Sequence, residues 1–386
     1  MFEPIKYDVI IAGGGPAGST AGYILAKAGL SVLLIDKSVF PRKKLCAGLI
    51  THKTVRLLKR VFNETTDSLK EIGAINFESD RYEILHRNES LAKNRFAIPY
   101  YFVERFIYDD FLLNKAKSAG VVTAEGEGVT HCDLSLNEVT TDSGRTLKAK
   151  FIIGADGVHS SVRKGFPHER FNKDSWQYDL GTAIEITVDR SDINFEVDHP
   201  MVFFGFADYG YAWIFPNRER LVIGICGLNR KNKKKGFVKS FHDFLSEIGM
   251  DELKKESVKG YPLPFGNFLL KPFFGNALLT GDAAGFADPI FGEGIFYAQR
   301  SGELAARAII QSVNEGTDAW SAYHALLQKH ILPEMISAKR HHWFFYNRLQ
   351  KQFLKIVFNK FANSASETVH GIRSHRGLRK LTEGNS

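Results

Sequence analysis

The stretch from Tyr7 to Asp36 limits the folds open to this chain more than any other segment. Tyr7 to Ala12 is a short apolar, β-branched run, Gly13-Gly14-Gly15-Pro16-Ala17-Gly18 follows, and an Ala- and Leu-rich segment then leads to Gly29. A second apolar run, Ser31 to Ile35, ends in Asp36, 18 residues after Gly18. Apolar runs interrupted by a glycine turn read as strand, turn, helix, strand, and the glycine spacing with its following acid is a βαβ dinucleotide fingerprint. Gly13 permits the turn, Gly15 lets the backbone approach a pyrophosphate at the helix start formed by Pro16 and Ala17, and Gly18 lets helix and strand pack closely. Asp36, with Lys37 beside it, is expected at the adenosine ribose.

Two later segments repeat the strand-then-acid pattern. Phe151-Ile152-Ile153-Gly154-Ala155-Asp156-Gly157 is an apolar run entering a tight turn, and Ala277-Leu278-Leu279-Thr280-Gly281-Asp282 is another. Asp288-Pro289-Ile290-Phe291-Gly292-Glu293-Gly294 then leads into a helix near Ile295. Each acid falls at the C-terminal end of a strand, where open α/β sheets bind their ligands.

Together the GxGxxG, GADG and GD motifs resemble the para-hydroxybenzoate hydroxylase class of FAD proteins. The resemblance implies FAD as cofactor, with Asp282 on the ribityl hydroxyls and the Gly292–Ile295 backbone at the flavin pyrimidine edge. There a helix N-terminus favours the anionic reduced ring. It also implies contacts from Gly128, Val129, Ala155, Asp156, Gly157, Gly281, Pro289 and Glu293. Arg105, which with Tyr108-Asp109 and Leu112 resembles the class's R..FD..L helix, is expected near the ribityl-phosphate region.

Two further segments resemble the geranylgeranyl reductase family. Phe40-Pro41-Arg42-Lys43-Lys44-Leu45-Cys46-Ala47-Gly48-Leu49-Ile50-Thr51 is similar to its FPR.K.CGG..T segment, with Ala47 in place of the first glycine, and Tyr211-Ala212-Trp213-Ile214-Phe215-Pro216 matches its YxWxFP motif. The resemblance places Cys46, Ala47 and Gly48 in a loop that reaches the isoalloxazine and makes Cys46, Tyr211 and Trp213 the catalytic candidates. Tyr211 and Trp213 are two apart, so on a strand they share one face and form an aromatic wall suited to a long apolar substrate. The implied activity is FAD-dependent reduction of isolated C=C bonds in an isoprenoid lipid or quinone chain. The alternatives are an FAD-dependent monooxygenase or halogenase-like enzyme acting on an apolar substrate, or an FAD-bearing lipid-binding or assembly protein. A single dinucleotide fingerprint calls for an external electron donor, NADPH or ferredoxin.

The expected architecture is α/β: a Rossmann-like FAD-binding domain with an inserted antiparallel-sheet substrate domain and a C-terminal helical extension. The cofactor domain is discontinuous, residues 1–60, 100–165 and 270–325. Residues 61–99 and 166–269 form the substrate domain, and 326–386 the helical extension. Within the second insertion Gly181–Val188, Met201–Phe206, Tyr211–Pro216 and Leu221–Cys226 read as antiparallel strands, the lysine-rich run 230–235 as a solvated loop, and a helix begins near Phe237. Beyond Leu326, Tyr346, Leu349, Phe353 and Val357 mark one face of an amphipathic helix that either docks on the body or lies on anionic lipid. The last stretch, Gly371 to Ser386, is expected to fray.

Charge and cysteine usage exclude several classes. The net charge of +8 would suggest an anionic partner, yet from Lys329 onward there are eleven Lys or Arg against three Asp or Glu, leaving forty of each sign before it. A balanced body and the absence of any nucleic-acid motif argue against nucleic acid, and a membrane surface or phosphate head group better suits the tail. Cys46, Cys132 and Cys226 have neither disulfide-framework nor metal-ligand spacing. Cys132 and Cys226 are assigned to packing. No signal-like or spanning stretch is evident, so a cytoplasmic enzyme, with peripheral membrane contact through its tail, is expected.

Overall fold

Parallel strands buried on both faces need continuous apolar runs, and three such runs make the centre of the first sheet. The computed structural model describes residues 7–193, 196–347, 364 and 366–375. Tyr7–Ala12 lies between Thr146–Gly154 and Val32–Asp36, and Ala277–Leu279 and Val122–Glu125 extend the parallel array on either side. Phe273–Phe274 closes one edge antiparallel, and the Val129–Asp133 and Glu138–Thr141 hairpin adds to Thr146–Gly154. Helix Pro16–Lys27 follows the first strand, and its buried side packs with the helices Arg105–Ser118 and Ile295–Glu315.

The second sheet has eight strands, in the order Lys259–Pro264, Leu180–Asp189, Arg220–Leu228, Gly210–Pro216, Met201–Phe204, Ile75–His86, Glu89–Val103 and Leu49–Ile50. The four strands expected between Gly181 and Cys226 are present within two residues of their expected ends. The pairing differs in one place: Met201–Phe204 runs parallel to Glu83–His86, and every other pair in the sheet is antiparallel. Alternation assigns each strand's faces, but it does not name the neighbour. Ile184, Ile186, Ile214 and Ile223 turn to a core completed by Phe241 and Phe244 of helix Phe237–Glu247. The residues between them face the other way, toward the first sheet.

Part of the lysine-rich run is a short helix, Asn229–Asn232, whose Asn232 is buried and hydrogen-bonds Leu228 and Asp208. Helices Ala319–His330 and Leu332–Asn347 follow the body. Tyr346 is buried and donates to the Ile290 carbonyl at 3.1 Å, so the start of the expected amphipathic face docks; Leu349, Phe353 and Val357 lie outside the described residues. The expected fraying does not hold for Gly371–His375. The segment 366–375 packs against the body, with His370 fully buried between Phe96 and Tyr100, Ser366 bonded to the Tyr100 hydroxyl, and Ser374 and His375 bonded to Glu334. Tertiary packing, invisible to local composition, overrides the tail's polar character. Among the described residues no helix is long and apolar enough to cross a membrane.

Candidate cofactor and substrate site

The C-terminal ends of the first sheet and the inner face of the second enclose a cavity of about 1430 Å³. Ligand pockets typically occupy roughly 300–1,000 Å³, so the space accommodates a large cofactor together with a substrate.

On the cofactor side, Gly13 adopts φ +102° and a Cβ there would meet the Ala155 carbonyl oxygen at 2.3 Å. A Cβ on Gly15 would meet only the Arg42 guanidinium, at 3.5 Å. The fingerprint therefore separates into a glycine the turn needs and a glycine that leaves the cavity side open. Gly18 lies behind the wall, where a Cβ would strike the Gly13 oxygen at 1.9 Å. The Asp36 carboxylate accepts from the Gly14 amide at 2.7 Å and the Ser38 amide at 2.8 Å. Lys37, Gly128 and Val129 line the cavity next to it.

Two helix starts open onto the same space. Gly15 begins Pro16–Lys27 and Gly294 begins Ile295–Glu315; neither is capped by a side chain, and both line the cavity. Such ends offer backbone N–H groups and a positive field to an anion. Ala155, Asp156, Gly157, Gly281, Asp282 and Gly292–Ile295 also line it, whereas Pro289 is buried behind the loop against Gly266. Asp156 Oδ2 accepts from the Ser161 amide at 2.6 Å, while Oδ1 is buried without a hydrogen-bond partner among the described residues. Burial raises the Asp282 carboxyl above its ordinary value, against the charges of Lys44, Arg105 and Arg163. The Glu293 side chain is engaged by Thr51, at 2.8 Å, and by Lys53.

The loop from Arg42 to Gly48 crosses the cavity. Gly48, not Ala47, carries the left-handed φ of +76°, which explains how alanine is accommodated at 47. Arg105 grips Asp109 with two bonds, 2.6 and 2.7 Å, and Arg42 reaches the same carboxylate at 3.2 Å. Burial opposes the charge on Arg105, but Asp109 and Cys46 outweigh it and hold the guanidinium well above its ordinary value. Lys44 lies 2.9 Å above the centre of the Tyr261 ring. Burial brings its ammonium down to about 8 against the pull of Asp282. The Cys46 amide donates to Glu185 Oε1 at 3.1 Å.

On the substrate side, Tyr211, Trp213 and Phe215 share one face of their strand, as their spacing predicts, with ring centroids 6.0 and 6.3 Å apart in sequence order. Val202, Phe204, Tyr82, Ile84 and Tyr100 continue this wall across neighbouring strands. The Tyr211 hydroxyl donates to the Phe291 carbonyl at 2.6 Å, and burial holds the phenol well above its ordinary value, so it stays a donor. Trp213 is 4% exposed and its Nε1 has no hydrogen-bond partner among the described residues. Cys132 and Cys226 are buried, and burial pushes both thiols up to about 12. The three catalytic candidates, Cys46, Tyr211 and Trp213, thus face one cavity. Arg42, Lys44, Glu185 and the 366–375 segment join them without having been singled out from sequence. For Glu185 a signal existed, a lone acid alternating with Ile184 and Ile186 along a strand.

The residues present suit FAD on structural grounds. Two uncapped helix starts, the open face at Gly15 and the Asp282 carboxyl, which makes no hydrogen bond among the described residues, all meet one large cavity. Uncapped helix starts attract anions, and a cofactor that carries both a pyrophosphate and hydroxyl donors would engage them and the Asp282 carboxyl together.

Comparison with known proteins agrees. Residues 6–320 match the model of a family described as FAD binding domain. An uncharacterised protein of Methanosarcina barkeri is 33% identical over 355 residues, 92% of this chain and 87% of that protein. A digeranylgeranylglycerophospholipid reductase of Methanosarcina mazei is 29% identical over 326 residues, 81% of this chain and 77% of that enzyme. The crystal structure of a geranylgeranyl bacteriochlorophyll reductase-like protein from Thermoplasma acidophilum has a TM-score of 0.73 at 20% identity, covering 94% of this chain and 91% of that one. A flavin-dependent brominase has a TM-score of 0.70 at 18% identity, covering 94% and 93%. At such identities the solved structures speak for the fold alone.

Proposed function

The chain belongs to the FAD-binding-domain family of oxidoreductases, and we propose that it saturates isolated carbon–carbon double bonds in the isoprenoid chain of a lipid or quinone. The observation that carries this reading is the Tyr211–Trp213–Phe215 face, which walls the same cavity as the glycine fingerprint and Asp282. Rigid aromatic surface holds a long apolar chain with little entropy to lose. The isoprenoid reductase among the similar proteins supports the same substrate class.

FAD, when bound, supplies a hydride. Gly13, Gly15 and the start of Pro16–Lys27 hold its pyrophosphate, Asp36 its adenosine ribose, Asp282 its ribityl chain, and the start of Ile295–Glu315 the pyrimidine edge of its ring. An unactivated alkene has no carbonyl to polarise, so the aromatic wall contributes by aligning the double bond and excluding water. With one dinucleotide fingerprint in the chain, the electrons come from an external donor, NADPH or ferredoxin. The basic tail approaches an anionic membrane surface, the source of the lipid.

Anaerobic incubation of the chemically reduced protein with a geranylgeranyl-bearing lipid tests the reading. Mass spectrometry should find two hydrogens gained per bond saturated. Product that forms only with oxygen overturns it in favour of a monooxygenase or halogenase-like reaction, which the brominase fold also accommodates. Exchanging Arg376, Arg379 and Lys380 for Gln should weaken sedimentation with anionic liposomes; equal sedimentation would leave the tail without that role.

A further inference from the structure

Saturating a double bond takes a proton as well as a hydride, and of the carboxyls lining the cavity Glu185 is the one on the strand that flanks Trp213's neighbour, both residues being in register with Gly224. Glu185 sits in the middle of strand Leu180–Asp189, between Gly224 and Lys259 on the neighbouring strands, and points into the cavity from the inner face of the sheet. It is 7% exposed. Oε1 takes the Cys46 amide at 3.1 Å, the one hydrogen bond of this side chain among the described residues. Glu185 makes no ion pair within 4 Å there, in contrast to the buried acids Asp109, Glu293 and Glu303, which are each held by a lysine or arginine.

On the reading above, we propose that Glu185 is the general acid of the reaction, protonating the alkene carbon that does not receive the hydride. In this step the Glu185 O–H bond breaks and a C–H bond forms from the alkene π pair. The second alkene carbon gains its C–H bond from the hydride, so the alkene is reduced and the cofactor oxidised. The Glu185 carboxylate then recovers its proton from solvent.

The surroundings of Glu185 keep such an acid loaded near neutrality. Burial pushes its carboxyl up to about 7, opposed by the Cys46 amide and by the charges of Lys44 from the loop, Lys259 from the adjacent strand and Arg105 from its helix. A general acid works best with a pKa near the operating pH.

A purely structural role, as the strut under the Cys46 loop, makes a different prediction. Glu185→Gln keeps an oxygen for the Cys46 amide but has no acidic proton. The purified flavin-bound variant should keep its colour and flavin reduction potential, lose alkene saturation by about a hundredfold or more, and lose the wild type's decline in rate as pH rises through about 7. A variant with wild-type turnover and pH profile overturns the assignment. The wild-type holoprotein gives a readout independent of turnover: infrared titration should show a buried protonated carboxyl band vanishing near neutral pH, and absence of such a band overturns the proposal as well. If the wild type leaves every prenyl lipid unsaturated, the reductase reading falls and this acid role with it. An active wild type with an unimpaired Glu185→Gln variant refutes Glu185 alone.

Discussion

Asp288 and His375 meet at 2.9 Å across 87 residues of sequence, carboxylate Oδ2 to imidazole Nε2, with 2% and 8% of their side chains exposed. The contact ties the loop that enters the Ile295–Glu315 helix to the 366–375 segment. Asp288 Oδ1 accepts from the Ile290 and Phe291 amides, both at 2.8 Å, so both oxygens are satisfied.

Breaking this pair should loosen the segment in a pH-dependent way. Burial works against the Asp288 charge, but His375, Lys53 and the Phe291 amide overcome it and hold the carboxyl down to about 2, from an ordinary 3.8. A carboxyl depressed by folding adds stability above its unfolded value and loses it as pH falls through the folded one. His375→Ala should therefore destabilise the protein above pH 4, and the gap to wild type in denaturant midpoint should narrow between pH 4 and pH 2. A gap constant across that window would refute the linkage.

The fingerprint glycines should separate folding from cofactor binding. Gly15→Ala adds a methyl that meets only the Arg42 guanidinium, so thermal stability should stay near wild type while flavin affinity drops. Gly13→Ala drives a Cβ into the Ala155 carbonyl at φ +102° and should yield little folded protein. Equal flavin affinity in Gly15→Ala and wild type would show that the pyrophosphate does not approach that backbone.

Trp213 rests in a notch left by Gly224 on the next strand, where a Cβ would lie 2.3 Å from Trp213 Cζ2 and 2.7 Å from the Ile184 carbonyl. Gly224→Ala should push the indole off the wall, and Trp213→Ala should remove it at a cost of about 3–5 kcal/mol. Both should preserve the flavin spectrum and reduce turnover of long substrates more than of short ones. Parallel losses for all chain lengths would make Trp213 structural.

Asp282→Ala should purify colourless, with a far-ultraviolet circular dichroism spectrum like the wild type's. Its carboxyl lines the cavity and makes no hydrogen bond among the described residues, so removing it leaves no stranded partner in the protein. Full yellow colour in the variant would remove Asp282 from the cofactor contacts.

Most of the cofactor side was legible from the chain because its determinants are local. A glycine every few residues between a strand and a helix, or an acid ending an apolar run, has the same meaning wherever the chain goes afterwards. The shared face of Tyr211 and Trp213 follows from strand period alone. The parallel partner of Met201–Phe204 does not, because 118 residues separate Phe204 from its register partner His86. Arg42 and Lys44 belong to a motif legible in sequence, but their partners Asp109, Asp282 and Tyr261 lie far along the chain, so local pattern does not say where the two cations point. The packing of residues 366–375 rests on partners such as Phe96, Tyr100, Asp288 and Glu334, and nothing in the segment's own composition announces them.

The wall of the cavity begins at Ala12 and ends at His375. Its closure needs nearly the longest loops the chain can form, and contacts of such high sequence separation are among the last to be made during folding. No fragment of the molecule contains a whole site, so the yellow of a retained flavin serves as a signal of finished assembly. Followed in time after dilution from denaturant, its appearance should lag the recovery of helical signal, marking the moment at which both sheets and the distal segment have come together.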